Sequence, residues 1–280
     1  MMVEPKVTVG MTSYNRPQGL RKCLSSMLKQ TYPHFVIHLS IDCSEHRDNV
    51  ISAIKDLLSD SRVALISPQH NLGMHGNIRS VLEGVTTPYF CWADDDDFHE
   101  PAFLEKGVAQ LEDSPKYQAW FPTMDNVTKG GVCFQKYPSF TRFTSTVNKD
   151  VDVIKFLREP EIRGKCNMMY SLFRTEALRQ TVAEYFLNDT WGTDNSMMLA
   201  FITRFNIVCS EEVLFHKGNY DIPENHGCGS AESRACQTGS YPKEVEAEYL
   251  SELLRAADKP YKQLVKEVMQ MRSNWNGAVK

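Results

Sequence analysis

An α/β fold is what this sequence predicts: a mainly parallel sheet flanked by helices, with a helical appendage at the C-terminus. Three observations point there. Short apolar runs alternate with amphipathic stretches over the first hundred residues, the pattern of βαβ units. Each run ends in polar residues, as strands do where an open α/β sheet has its ligand crevice. Two amphipathic helical stretches close the chain.

Val7 to Met11 reads as a buried strand ending at Thr12, Ser13, Tyr14 and Asn15. Asn15 and Pro17 suit the cap and opening of a helix. In that helix Leu20, Cys23, Leu24, Met27 and Leu28 make one apolar stripe. A strand from Phe35 to Ile41 ends at Asp42 and precedes a helix carrying Val50, Ile51, Ile54, Leu57 and Leu58. Val63 to Ile66 is the next strand, and Ile78, Val81, Leu82 and Val85 mark the next helix. Tyr89 to Ala93 is then a strand running straight into Asp94, Asp95, Asp96 and Asp97, followed by Phe98 and a helix with Phe103, Leu104, Val108 and Leu111.

Beyond residue 115 the pattern loosens. Lys129, Gly130 and Gly131 mark a turn, and Phe134 to Asn148 has no clear period. Asn167 to Arg174 reads as a strand, with helices at Thr175 to Phe186 and from Asp194 to about Arg204. The polar stretch from Asn219 to Tyr241 reads as a loop or lid, before helices at Lys243 to Ala256 and Tyr261 to about Met271.

Adjacent carboxylates about 4 Å apart repel by roughly 4 kcal/mol per pair at an effective dielectric near 20, so the aspartate run needs something to offset it. A solvated surface loop would serve. Here the run follows a buried strand and reaches a sheet edge, where a divalent cation is the better partner. Hard oxygen ligands suit Mg²⁺ or Mn²⁺, which bridges to substrate phosphates.

Composition narrows the field. The net charge of −4 argues against nucleic acid as the main partner. No stretch approaches the roughly eighteen apolar residues of a membrane span, and the first residues lack the features of a secretion signal, so a soluble, cytoplasmic protein is expected. In that setting the sequons at Asn126 and Asn188 carry no meaning, and the 8 scattered cysteines read as reduced thiols. His226, Cys228 and Cys236 fit no common zinc module and read as part of a polar loop.

The opening Val7-Thr-Val-Gly-Met-Thr-Ser-Tyr-Asn-Arg16, with Gln30-Thr-Tyr-Pro33, Asp42 and Ala93-Asp-Asp-Asp-Asp97, resembles the family 2 glycosyltransferases of GT-A fold. The resemblance covers residues 5 to 110 well and 165 to 220 more loosely, and it rests on the order and separation of the pieces. It implies a GT-A catalytic domain over residues 1–220, with a nucleotide-sugar-binding half (1–115) and an acceptor and catalytic-base half (116–220). Residues 221–280 would add the loop and C-terminal helices. Carried over, Thr12, Tyr14 and Asp42 would hold the nucleoside, Tyr14 packing on the base, and Asp95 would contact the ribose. Asp96 and Asp94 would hold Mn²⁺ or Mg²⁺ on the diphosphate. Asn71, Gly73 and Arg79 fall where the family often lines the donor site. Trp191-Gly-Thr-Asp194 resembles the family's late acidic motif, though Thr193 departs from its usual glutamate, and it makes Asp194 the candidate base; alternatively Asp194 simply favours a helix's first turn.

His216, at the end of Val213-Leu-Phe-His, could add a metal or phosphate contact or be an ordinary hydrogen-bonded histidine. Trp120, Trp191 and Tyr170 suit either sugar stacking or the core. The expectation is a hexosyltransferase of inverting mechanism, taking a nucleotide-sugar donor, preferably a UDP-sugar, and a glycan, lipid-linked glycan or other hydroxyl acceptor. With neither membrane spans nor a Gln-x-x-Arg-Trp motif, transfer of one sugar per encounter is expected rather than processive synthesis. A sugar-nucleotide-forming nucleotidyltransferase and a non-catalytic nucleotide- or sugar-binding module are the alternatives. The final helices leave homo-oligomer pairing, a membrane surface or solvated faces open.

Overall fold

The computed structural model describes residues 4–128, 131–182, 191–219 and 243–278. The expected lid beyond Asn219, with His226, Cys228 and Cys236, the turn at Lys129 and Gly130, and the end of the helix expected to reach Phe186 lie outside the described residues.

The first half follows its sequence pattern closely. Strand β1 (Val7–Ser13) leads into α1 (Pro17–Leu28), then β2 (Phe35–Ile41), α2 (Arg47–Ala53), β3 (Val63–Ile66), α3 (Gly73–Ser80) and β4 (Tyr89–Asp94). Pro17 opens α1 as expected, because its fixed φ and missing N–H suit a first helical turn. Asn15 is not the cap. It takes a left-handed φ of 59°, and its Oδ1 accepts from Ser44 Oγ at 2.5 Å. Leu20, Cys23, Leu24 and Met27 are fully buried on one face of α1, and each large apolar side chain so placed contributes about 1.5–3 kcal/mol. The stripe expected to continue one helix to Leu58 instead breaks after Ala53, and Leu57–Ser59 forms a separate 3₁₀ turn.

Short β5 (Phe98–His99) and α4 (Phe103–Asp113) precede the long β6 (Ala119–Thr128), which carries a hairpin partner, β7 (Cys133–Lys136). Helix α5 (Lys149–Arg158), strand β8 (Leu172–Arg174), α6 (Thr175–Val182), α7 (Thr193–Arg204) and β9 (Ile207–Asn219) complete the second half. The strand expected from Asn167 is corrected. Lys165–Tyr170 is a buried 3₁₀ segment, entered through Gly164 at φ 74° and tied by Ser171 Oγ to the Met168 carbonyl at 2.6 Å. An apolar run satisfied by local turn hydrogen bonds carries no period that separates it from a strand.

The strands form one sheet in the order β3-β2-β1-β4-β8-β6-β9-β5, with β7 added to β6. β1 to β4 pair in parallel, whereas β8 lies antiparallel between β4 and β6. β4 alternates strictly: Tyr89, Cys91 and Ala93 pack with α1 and α4 on one face, Phe90 and Trp92 on the other. The final helices, α8 (Lys243–Ala256) and α9 (Lys262–Ala278), bury Tyr249, Leu253, Ala256, Val265 and Val268 in that second core with α5 and α7. No helix among the described residues is long and apolar enough to cross a membrane.

Candidate active site

β1, β2 and β4 are parallel neighbours, so Thr12, Asp42 and the aspartate turn emerge together at one edge. The turn links β4 to β5, and every one of its carboxylates is engaged. Asp94 accepts from Thr12 Oγ1 at 3.4 Å and from the Tyr170 hydroxyl through its other oxygen. Asp95 accepts from Ser13 Oγ at 2.7 Å and the Tyr14 amide at 3.2 Å, and pairs with Arg16 at 3.0 Å. Asp96 meets the same guanidinium at 3.1 Å. Asp97, wholly buried, accepts from Lys217 Nζ at 3.0 Å and the Gly218 amide at 3.1 Å, fastening the turn to β9.

Burial makes the charged forms costly. It raises Asp94, carries Asp97 well above the ordinary carboxylate range, and pushes Asp95 up to about 7 against the pull of Arg16. Lys217 is held well above a free lysine: burial alone would lower it, but Asp97, Tyr170, Asp96 and Asp94 outweigh that. Asp94, Asp96 and Asp97 each offer an oxygen within 4.8 Å of the others. Asp96 Oδ1 is buried, accepts no hydrogen bond, and has Lys217 Nζ 3.8 Å away. A buried carboxylate oxygen that accepts no hydrogen bond is costly, and the three aspartates together offer hard oxygens of the kind that suits Mg²⁺ or Mn²⁺.

Packing behind the turn is close. At Gly19 of α1, a Cβ would lie 2.2 Å from the Asp95 carbonyl oxygen. Gly19→Ala is therefore expected to cost about 1–3 kcal/mol by overpacking and to displace the turn. Chemical denaturation together with a Mn²⁺ titration checks this; a variant unchanged in both would show that the turn has slack.

The other residues singled out by sequence occupy several settings. Tyr14 leaves 42% of its surface exposed, its ring available for stacking. Asp42 is buried and accepts from the amides of Cys43 at 2.8 Å and Leu72 at 2.9 Å, holding the loop of Asn71 and Gly73 at the start of α3. Arg79 lines a cavity of about 410 Å³ with Leu82, Glu83, Gly84, Arg179 and Val182, a set that includes no residue of the aspartate turn. His216 stacks on Phe98 at 4.4 Å, with Nδ1 2.5 Å from Asp125 and Nε2 3.0 Å from Glu100. Neighbours on a strand face opposite ways, so Lys217 reaches the aspartates instead.

Asp194 lies in the first turn of α7, two residues after Gly192, whose φ is 82°. A Cβ on Gly192 would lie 2.7 Å from the Tyr249 ring, and Trp191 packs edge-on against that ring at 5.0 Å. Tyr249 in turn donates to Glu161 at 3.2 Å, which forms a buried ion pair with Lys165 at 3.1 Å. Helix α8 thus backs the loop that presents Asp194. Burial raises the Asp194 carboxyl, while the Asn195 amide, a hydrogen bond from Cys166 and the charge of Lys217 pull it down. Ser13, Arg16, Tyr170 and Lys217 meet the aspartate turn without a signal of their own in the sequence. Arg16 closes the Val7–Arg16 stretch and Lys217 follows His216, while the sequence offers Tyr170 a place in sugar stacking or the core.

Known proteins share this fold. The sequence profile of "Glycosyl transferase family 2" matches residues 8–180. An uncharacterized glycosyltransferase of Haemophilus influenzae is 24% identical over 240 residues, 85% of this chain; the match spans 64% of that relative's length. Staphylococcus aureus TarS 1-349 in complex with UDP-GlcNAc superposes with a TM-score of 0.67 at 17% identity, covering 96% of this chain and 72% of that one. The mannosyltransferase PcManGT from Pyrobaculum calidifontis, in complex with GDP-Man and Mn²⁺, gives 0.60 at 13% identity, covering 100% and 77%. The fold is that of the GT-A glycosyltransferases. With a profile matched from β1 through α6 and the aspartate turn at the end of β4, the chain belongs to glycosyl transferase family 2.

Proposed function

We propose that this chain is a metal-dependent, inverting glycosyltransferase that moves a sugar from a nucleotide-sugar donor, preferably UDP-linked, to a hydroxyl of a glycan or similar acceptor. The observation carrying the reading is the convergence of Asp94, Asp96 and Asp97, each with an oxygen within 4.8 Å of the others, at the edge where β1 and β2 also end. Those three aspartates would hold Mn²⁺ or Mg²⁺. When bound, such an ion supplies Lewis-acid stabilisation of a leaving diphosphate. Thr12, Tyr14 and Asp42 frame the nucleoside side, the half-exposed Tyr14 ring offering a stacking surface. Asp194 is the base: burial raises its affinity for a proton, which suits it to take one from an acceptor hydroxyl. As the acceptor oxygen bonds to the anomeric carbon, the bond to the diphosphate breaks on the opposite face, and the nucleoside diphosphate leaves.

The resemblance to structures holding UDP-GlcNAc and GDP-Man supports a nucleotide-sugar donor as a class. A panel of nucleotide sugars, each with Mn²⁺, tests the reading through slow donor hydrolysis and protection against thermal unfolding. One donor is expected to stand out in both measurements. A flat response across the panel, with Mn²⁺ and Mg²⁺ alike, would remove the proposal.

A further inference from the structure

Lys217 stands in the ring of oxygens just described as a cation site. Its ammonium lies 3.0 Å from Asp97 Oδ2 and 3.8 Å from Asp96 Oδ1, and 4.8 Å above the Tyr170 ring whose hydroxyl donates to Asp94. It comes from β9, 120 residues along the chain from Asp97, and 28% of its side chain remains exposed. The ammonium is held at the acidic turn on a flexible four-carbon stem, which can carry it to another position.

We propose that Lys217 is an internal cation occupying the divalent-ion site of the aspartate turn, so that ion binding and its pairs with Asp96 and Asp97 exclude one another. This rests on reading the turn as a metal site. Without some cation, Asp94, Asp96 and Asp97 would face one another within 4.8 Å in a buried setting, where like charges repel strongly. The lysine removes that repulsion in the free protein and keeps the turn in shape. An ion coordinated by the same oxygens would stand close to the ammonium and repel it. A donor's diphosphate resolves the conflict, because its oxygens offer the displaced lysine a new anionic partner. Ion and diphosphate therefore bind cooperatively, and the ion alone binds weakly. The aspartates recruit an ion chiefly when there is a diphosphate for it to hold.

The test is a Mn²⁺ titration of wild type and Lys217→Met, followed by calorimetry, with and without saturating uridine diphosphate. Lys217→Met is expected to bind Mn²⁺ alone at least tenfold more tightly than wild type, and the increase in Mn²⁺ affinity on adding uridine diphosphate should shrink by a similar factor. Lys217→Arg, which keeps the charge, should resemble wild type. If the methionine variant fails to fold, Lys217→Gln carries the same expectation. Mn²⁺ affinity equal to or below wild type in the neutral variant, while wild type still binds Mn²⁺ with uridine diphosphate, would overturn the internal-cation role and leave the metal site standing. No Mn²⁺ binding to any form, with or without the nucleotide, would overturn the metal site and this inference together.

Discussion

Asp96→Asn is expected to lower Mn²⁺ affinity at least about 100-fold and turnover at least about 1,000-fold. An ion acting as a Lewis acid on a leaving diphosphate stabilises several kcal/mol of developing charge, and each 1.36 kcal/mol is a factor of ten in rate. Asp96 is the residue to change because it combines an ion pair with Arg16 at 3.1 Å and a buried oxygen that accepts no hydrogen bond. Asn keeps the size and one carbonyl acceptor for the guanidinium but removes the charge at the unbonded position. Folding should survive, since Asp94, Asp95 and Asp97 keep their own partners in Thr12, Ser13 and Lys217. Calorimetric Mn²⁺ titration and a steady-state assay with the donor identified in the panel check both halves. A variant that binds Mn²⁺ like wild type would show that the ion, if used, is held elsewhere.

Asp194→Asn should separate chemistry from binding. Loss of a general base typically costs about 10²- to 10⁴-fold in rate, and that range is expected for turnover, with nucleotide affinity within about twofold of wild type. The Asn195 amide donates to Asp194 Oδ1 at 2.7 Å, and an asparagine carbonyl can accept the same bond. Burial already disfavours the Asp194 charge, so a neutral side chain should not lower the melting temperature. Equilibrium nucleotide binding and single-turnover transfer make the comparison. A fall in turnover smaller than tenfold would move the base to another residue. A parallel loss of nucleotide affinity would instead mark Asp194 as part of the donor site.

Much of the first half was legible because each of its elements buries one face against the same sheet. The stripe of Leu20, Cys23, Leu24, Met27 and Leu28 and the continuous apolar run of Tyr89 to Ala93 mark side chains that go inward, and the structure buries all of them but Leu28, which is partly buried. Errors arose where local polar chemistry broke a pattern, as at Asn15, whose side chain serves Ser44 rather than a helix end. They also arose where apolar residues fill the core from a 3₁₀ turn, as at Met168, Met169 and Tyr170. β6 and β9 were harder to see, since their long pairing runs through two register shifts and joins residues about ninety positions apart.

The sequence by itself determined that strands and helices alternate, that β4 delivers four carboxylates to the end of a buried strand, and that a late aspartate opens a helix. Those properties depend on residues within a few positions of one another. Only the tertiary structure decided what neutralises the carboxylates. Arg16 answers Asp95 and Asp96 from the neighbouring strand's exit, and Lys217 answers Asp97 from the far side of the sheet. It also decided that His216 turns to Asp125 and Glu100, and that Tyr249 of α8 stands behind Gly192. Periodicity records which face of an element is buried; the partner it meets there depends on strand order and crossover, which couple residues a hundred positions apart.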